Sequence, residues 1–172
     1  MPGIFGLIDR NHRQVPEKIP MGMGNSMKHD ELYIHNWMIL DSCALGIVEL
    51  ESSYNKNSLV CVKDGSLACV LRGNVYNKKE LSEKFGIENT SSHLNDAQFI
   101  LDLYGKKGLD FVKYLNGLFN VTIYDTEADQ LLVANDRYGF YPLFYLLDAN
   151  MFIFASEVKA VLRASGKPPV MN

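Results

Sequence analysis

Nine short apolar runs, separated mostly by brief turn-rich gaps, limit most strongly what this chain can fold into. Parallel neighbours need a crossover of a dozen or more residues, whereas antiparallel neighbours need only a tight turn. Most of the gaps are of the second kind, such as the Asp64-Gly65 turn between two of the runs. The pattern therefore predicts antiparallel sheets. The predicted strands are residues 3–9, 36–41, 44–50, 59–62, 67–72, 117–125, 130–135, 143–147 and 151–155.

Helical signals interrupt the strands in a few longer stretches. The predicted helices span residues 77–85, 95–108 (with Asn95 or Asp96 as the cap), 156–166 and, as a short fourth helix, 110–117. Asn77 followed by Glu80 has the capping-box pattern, and Gly108 is a stop signal. The methionine- and glycine-rich residues 21–27 are predicted to form an irregular loop. Blocks of strands with helices outside them predict an α+β fold.

Charge and composition exclude several classes of function. The 17 basic and 20 acidic residues give a net charge of -3 without a long basic run, so neither nucleic acid nor an anionic membrane is an expected partner. Cys43, Cys61 and Cys69 lack the spacing of a disulfide framework or a zinc site. The sequence has no signal peptide and no apolar run of membrane-spanning length. We therefore expect a cytoplasmic globular domain.

A search of the residues for catalytic patterns gives little. The chain has four histidines without paired-ligand spacing, so no metal site is expected: His12, His29, His35 and His93. Asp136-Arg137 follows a predicted strand, and an ion pair that fixes a turn is favoured there over a functional pair. Each cysteine lies in an apolar run, which favours a buried and inert thiol.

Five motifs, in order along the chain, resemble the glutaminase half of asparagine synthetase. They are RGNVYNKKEL (72–81), NDAQFIL (95–101), LNGLFNVTIYD (115–125), DRYGFYPLFY (136–145) and FIFASEVKAVL (152–162). Because this ordered set spans nearly the whole chain, the chain resembles the class II, N-terminal-nucleophile glutamine amidotransferases of the asparagine synthetase branch. The resemblance implies a four-layer αββα sandwich of two antiparallel sheets, which is the fold of N-terminal-nucleophile hydrolases.

The resemblance gives the second residue a catalytic role, and this chain departs from the family there. Members begin Met-Cys-Gly; after Met is removed, the cysteine thiolate attacks the glutamine amide with its own α-amino group as the base. This chain instead begins Met1-Pro2-Gly3. Pro2 has no thiol, and attack by a secondary amine would give a stable amide. Pro2 is therefore predicted to be inactive at the nucleophile position.

The positions that hold glutamine in the family are only partly kept. The arginine that clamps the α-carboxylate corresponds to Ala44, and the family's Asn-Gly-Glu corresponds to Arg72-Gly73-Asn74. Matching positions are Gly73, Asp96 and, as backbone positions, Ile47 and Val48, whereas Ala44, Arg72 and Asn74 depart. Loss of one oxyanion donor typically lowers the rate by about 10²–10³. Glutamine hydrolysis is predicted to be lost, and binding of glutamine or an analogue is not expected.

The resemblance also implies an organisation and partners. Residues 1–165 would form the glutaminase-like domain, and residues 166–172 a linker towards a C-terminal synthetase domain that this sequence lacks. The glutaminase-like domain then needs no cofactor, because ATP and magnesium are implied only for the absent synthetase domain, in cis or in trans. A homodimer is compatible with the sequence.

Three functions remain open at this point. The first is a degenerate glutaminase domain with a structural or regulatory role for an ATP-dependent amidotransferase or ligase domain. The second is a binding module whose remodelled cleft takes another small anionic or amino-acid-like ligand, since Arg72 adds a cation near Asp96. The alternative without a ligand is that Arg72 forms an ion pair with Asp96 or extends into solvent. The third is an active glutaminase, if Pro2 is not the native residue.

Overall fold

The computed structural model describes residues 2–51, 65–87 and 96–167, together with the backbone of residues 59–62. The chain divides into two compact units. Unit 1 comprises Met1–Asn55 and Pro142–Asn172, and unit 2 comprises Lys56–Tyr141. Each unit contains one antiparallel sheet with helices, so the predicted α+β class with two antiparallel sheets is confirmed.

All nine predicted strands are present, with ends shifted by no more than a few residues. The strands are β1 Gly3–Asp9, β2 Tyr33–Leu40, β3 Cys43–Leu50, β4 Leu59–Val62, β5 Leu67–Val75, β6 Gly117–Asp125, β7 Gln130–Asn135, β8 Phe144–Leu147 and β9 Met151–Ala155. The helices are α1 Lys18–Met27, α2 Lys78–Phe85, α3 Asp96–Lys107 and α4 Val158–Ser165, with a 3-10 helix at Gly108–Tyr114. No helix among the described residues is long and apolar enough to cross a bilayer.

The sheet of unit 1 has the strand order β2-β3-β1-β9-β8. Strand β1 lies at its centre, where Leu7 pairs with Ala44 of β3 on one side and with Ile153 of β9 on the other. A strand that starts at residue 3 is thus tied down along both edges, which prevents the fraying usual at a chain terminus. Phe5 and Leu7 anchor the apolar cluster beneath α1 and α4.

The prediction of an irregular loop at residues 21–27 is wrong, because these residues belong to helix α1. Met23 and Met27 lie one turn apart and are fully buried in the apolar cluster of unit 1. Of the two glycines that suggested a loop, Gly24 is required by close packing, whereas a Cβ on Gly22 would make only an ordinary contact with Arg163 at 3.4 Å. A Cβ on Gly24 would lie 2.0 Å from Nδ1 of His35 on β2. Burial, followed by the nearby charge of Lys28, lowers the pKa of His35.

The sheet of unit 2 has the strand order β4-β5-β6-β7. Its apolar cluster is built from α3, the 3-10 helix and one face of β5 and β6. The spacing of Phe99, Ile100, Leu103 and Tyr104 predicts that they share one face of the helix; the first three are buried in this cluster, and Tyr104 packs against it while partly buried. The predicted short helix at 110–117 is a 3-10 helix that begins at Gly108 and buries Phe111.

The predicted helix ends are partly confirmed. Asn77 does precede α2, but its side chain makes no capping bond to that helix. Its amide instead donates to the carbonyl of Tyr114, and its Oδ1 accepts the N–H of Asn116. The residue before α4 is Glu157 rather than Ser156. Left-handed glycines follow α2 and α4, at Gly86 and Gly166.

Some predictions fall wholly or partly outside the described residues. The turn at Asp64 lies there, although the strands on either side of it pair as a hairpin, with Val62 opposite Leu67. The alternative cap Asn95 and most of the predicted linker, residues 168–172, also lie there.

Candidate functional site

Pro2, at the nucleophile position, leads directly into a strand whose start is tightly fixed. Gly3 pairs with Val48 of β3, and a Cβ on Gly3 would lie 2.5 Å from Cβ of Ser156. The N–H of Ile4 donates to Oγ of Ser156 at 3.0 Å, and the N–H of Ser156 donates to the carbonyl of Ile4 at 2.9 Å. Pro2 itself is partly buried. The start of β1 is therefore pre-ordered, but its residue 2 brings only an apolar ring.

Three further positions of unit 1 lie on β3 and are filled by apolar side chains. Ala44, at the carboxylate-clamp position, is 1% exposed and belongs to the apolar cluster of unit 1. Ile47 is opposite Ile4, and Val48 is opposite Gly3. Because β3 is flanked by β1 and β2, its backbone groups serve the sheet ladder. The site positions of unit 1 therefore offer neither a nucleophilic nor a charged side chain.

A charged cluster beside the start of β1 escaped the sequence search. Glu157 accepts a hydrogen bond from Nε2 of His29 at 2.9 Å and pairs with Nζ of Lys159 at 3.0 Å. Burial alone would raise the pKa of Glu157, but its cationic neighbours, with the His29 hydrogen bond first and then the N-terminal ammonium and Lys159, outweigh it and lower the pKa to about 2. The sequence signal for this cluster is the SEVK segment (156–159), in which Glu157 and Lys159 have opposite charges on either side of Val158.

In unit 2, Gly73 has a backbone that only glycine adopts readily. Its φ is +101°, and a Cβ there would lie 2.1 Å from the carbonyl oxygen of Leu118. A ring carbon of Tyr141 would be 2.9 Å away. Glycine is therefore required at position 73 because the Leu118 backbone lies so close, and this requirement is independent of any contact with a ligand.

Arg72 lies on β5 opposite Asn120 of β6, which is fully buried. The Arg72 guanidinium carbon lies 4.7 Å from the centroid of the Tyr141 ring, within the range of a cation–π contact. Asn74, two residues further along β5, is exposed. At the departing positions of unit 2, the chain thus presents a stacked cation and a neutral amide.

Asp96, the matching carboxylate, is the first residue of α3. Its Oδ1 accepts a hydrogen bond from Nζ of Lys78, the first residue of α2, and the two form an ion pair. An ion pair between Arg72 and Asp96 was one of the two predicted alternatives for Arg72. In the structure, Asp96 pairs with Lys78 instead. Lys78 was missed because the two residues are 18 positions apart in sequence.

Asp136 fixes a turn, but the predicted ion pair with Arg137 is wrong, because the Asp136 carboxylate bonds to backbone N–H groups instead. Its buried carboxylate accepts the N–H of Tyr138 at 2.9 Å and the N–H of Phe140 at 3.2 Å. Arg137 is exposed. The carboxylate therefore shapes the loop after β7 and is committed to that task.

The thiols that the structure describes are buried, as predicted. Cys43 and Cys69 are both 0% exposed, and burial raises the pKa of the Cys69 thiol. A thiol with a raised pKa is a poor nucleophile at neutral pH. The side chain of Cys61 lies outside the described residues. Within the described part of the chain, no three His, Cys, Asp or Glu residues are placed to hold a metal ion.

Comparisons with known proteins agree with this architecture. The glutamine amidotransferase domain family matches residues 1–172. A putative glutamine-hydrolyzing asparagine synthetase 2 of Methanocaldococcus jannaschii is 31% identical over 183 residues, covering 94% of this chain and 35% of that protein. Glutamine-hydrolyzing asparagine synthetase B of Escherichia coli is 30% identical over 173 residues, covering 94% of this chain and 30% of that protein.

A solved structure gives the same answer for the fold. The glutamine phosphoribosylpyrophosphate amidotransferase of B. subtilis superposes with a TM-score of 0.70 at 17% identity. The match covers 95% of this chain and 43% of that protein. This chain therefore spans about a third of the length of the two curated relatives and shares its fold with part of a solved enzyme.

Proposed function

Because the chain belongs to the glutamine amidotransferase domain family and has the fold of N-terminal-nucleophile amidotransferases, we propose that it is a degenerate member that does not hydrolyse glutamine. The observation that carries the proposal is the state of unit 1. Pro2 stands at the nucleophile position, and Ala44 is buried at the clamp position. Both changes remove chemistry that the family reaction needs.

The first missing step is the attack on the amide. A thiolate is nucleophilic and leaves readily from the acyl intermediate, whereas the Pro2 nitrogen would form an amide as stable as the substrate. The buried thiols of Cys43 and Cys69 offer no substitute. Loss of the nucleophile accordingly supports the absence of turnover.

The second missing element is recognition of the substrate. A bidentate arginine–carboxylate pair fixes both the charge and the orientation of an amino acid, and the alanine at position 44 can do neither. Arg72 and Asn74 further replace a neutral donor and a carboxylate by a cation and a neutral amide. The charges that would hold a zwitterionic amino acid are thereby altered in both units.

We propose that the role left to the domain is structural or regulatory, towards an ATP-dependent synthetase domain. The two relatives described above are named as glutamine-hydrolyzing asparagine synthetases, and this chain matches about a third of each. The synthetase partner would act in cis or in trans and would carry the ATP and magnesium chemistry. A partner that uses free ammonia, or needs none, is compatible with such a domain.

Ammonia release from L-glutamine tests the proposal. The purified chain, with its N-terminus defined by intact mass, should release no more ammonia than a heat-killed sample, while Escherichia coli asparagine synthetase B serves as the positive control. Pro2→Cys should stay inactive, because Ala44 and Arg72 remain changed. Turnover by the chain would overturn the proposal. Turnover by Pro2→Cys alone would show an intact pocket and favour an active glutaminase whose native residue 2 is cysteine.

A second candidate function is favoured by unit 2. Arg72 is held by stacking on Tyr141, and the Asp96 carboxylate is already paired with Lys78. This arrangement supports a binding module for a small anionic ligand, which would need neither a nucleophile nor the arginine clamp of unit 1.

A further inference from the structure

Strand β8 forms one edge of the sheet of unit 1, and its apolar side chains are exposed on both faces of the strand. Tyr145 is 70% exposed, Leu147 60% and Phe144 42%. Helix α4 contacts β8, and its first residue, Val158, is 46% exposed. We call these four side chains the β8 edge patch. Large apolar side chains that are exposed side by side mark a surface for association.

The outer edge of β8 also carries backbone groups that the sheet does not use. An antiparallel strand points the N–H and C=O groups of successive residues alternately to its two sides. The N–H of Asp148 donates to the carbonyl of Met151, so Leu146, two residues earlier, also bonds to β9. Tyr145 and Leu147 therefore point outward, and no described residue accepts a hydrogen bond from their N–H groups. Such an edge is a template for pairing with another strand.

The charges around β8 favour a second copy of the same strand. The strand Phe144–Leu147 contains no charged residue. The carboxylate that follows it, Asp148, is paired with Nζ of Lys167 at 2.7 Å and accepts the N–H groups of Asn150 and Met151. Because Asp148 is neutralised in this way, two copies of β8 can lie antiparallel without bringing uncompensated like charges together.

The opposite edge of the same sheet, β2, lacks this property. The exposed residues Asp30 and Glu31 precede β2, and the exposed Asp41 follows it. In an antiparallel pair of two β2 strands, the start of one strand lies beside the end of the other, so these carboxylates would meet. Like charges opposite each other destabilise a strand pair. Of the two edges of this sheet, β8 is therefore the one suited to a second copy.

We propose that two copies of this chain associate through β8, with the two strands antiparallel and related by a two-fold axis at Leu146. Tyr145 of each copy then lies opposite Leu147 of the other, and the outward backbone groups of both residues are paired. The two side chains also meet on one face of the joined sheets, as an aromatic and an aliphatic partner. The proposal is independent of the proposed function, because it involves neither glutamine nor a synthetase domain.

The size of the β8 edge patch predicts a weak dimer. The exposed parts of the Phe144 and Tyr145 rings present on the order of 200 Å² per copy, to which Leu147 and Val158 add. A standard interface buries about 800 Å² per partner, of which slightly more than half is apolar. The contact is therefore smaller than standard, and its dissociation constant should be about 10–100 μM.

Sedimentation equilibrium of the full chain over a range of concentrations tests the proposal. The weight-average mass should rise from that of a monomer at about 1 μM towards that of a dimer at about 1 mM. Tyr145→Lys removes the aromatic contact and adds a charge at the axis, so it should weaken association by about tenfold. The matched control is Leu32→Lys, because Leu32 is 63% exposed and directly precedes the opposite edge strand β2. It should leave the dissociation constant unchanged.

A second pair of variants tests the pairing of the strands themselves. Leu147→Ala and Leu147→Pro both remove most of the side chain, but only proline also removes the outward N–H. Leu147→Pro should therefore weaken association by about fivefold more than Leu147→Ala. The ladder between β8 and β9 does not use this N–H and should persist. Circular dichroism melts of each variant check that the fold is kept.

Three results would overturn the inference. They are a monomeric mass at every concentration up to about 1 mM, association that Leu32→Lys weakens as much as Tyr145→Lys, and equal dissociation constants for folded Leu147→Ala and Leu147→Pro. The ammonia-release assay decides the proposed function separately, because none of these masses depends on glutamine.

Discussion

The positions that the resemblance assigns to ligand contacts carry opposite kinds of side chain in the two units. In unit 1, Ala44, Ile47 and Val48 are apolar, at most 2% exposed, and part of the sheet interior. In unit 2, Arg72 and Asp96 are charged, partly exposed and engaged with neighbouring side chains. The positions of unit 1 are therefore filled by packed apolar side chains, whereas those of unit 2 carry charges that contact neighbouring side chains.

The largest expected effect comes from placing a charge at position 44 of unit 1. Ala44→Arg buries a guanidinium in the apolar cluster, and an uncompensated buried charge costs about 3–5 kcal/mol. Urea unfolding should show a loss of that size or no folded protein. Asn74→Arg, at an exposed position of unit 2, should change the free energy of unfolding by no more than about 0.5 kcal/mol. Equal effects at the two positions would break the contrast between the units.

The next effect sharpens the contrast within unit 2. Gly73→Ala places a Cβ against the Leu118 carbonyl at a positive φ and should destabilise by about 2–3 kcal/mol. Gly86→Ala also adds a Cβ at a positive φ, but nothing lies within 4 Å of it, so its cost should be near 1 kcal/mol. Thermal melts of both variants give the comparison. If Gly73→Ala were the milder of the two, the close approach to Leu118 would not be what requires glycine.

The smallest effect is a pH dependence confined to unit 1. Hydrogen bonds lower the pKa of Glu157 from 4.5 to about 2, so its stabilisation is complete above pH 4.5 and is lost as the pH falls through 2. Because the group is partly solvated, Glu157→Gln should lower the free energy of unfolding at pH 7 by only about 1 kcal/mol. It should also flatten the dependence between pH 4.5 and pH 2 in urea titrations.

The matched control is Glu83→Gln, on the exposed face of α2 in unit 2. It should leave both the free energy of unfolding at neutral pH and its acid dependence unchanged. A Glu157→Gln variant that keeps the full acid dependence of the unsubstituted chain would remove Glu157 as its origin.

The strands were predictable because short apolar runs and turn residues are local signals. Strand β1, for example, is one apolar run, and Ile4, Phe5 and Leu7 are all buried. The five family motifs then predicted how these strands combine into the whole fold. Helix α1 was missed because its glycines are typical of loops. Gly24 is required by its close approach to His35, which only the folded chain brings near.

The positions of the site stay a prediction from the resemblance, and their partners could not be predicted. Sequence motifs assign Arg72 and Asp96 to ligand-contacting positions, yet give no indication that Lys78 rather than Arg72 pairs with the carboxylate. Likewise, Asn77 was placed correctly at the start of α2, but its bonds to Tyr114 and Asn116 depend on a segment almost forty residues later. Pairings across such separations follow from the fold and not from local spacing.

The glycines of α1 have a consequence for the order in which unit 1 assembles. Gly22 and Gly24 each weaken a helix by about 1 kcal/mol relative to alanine, and ten residues are too few for a helix to persist alone in water. Helix α1 can therefore form only on a surface that already exists, with His35 and Arg163 in place to receive its glycines. We expect α1 to condense late in folding, and its amide hydrogens to exchange with solvent well before those of the central strand β1.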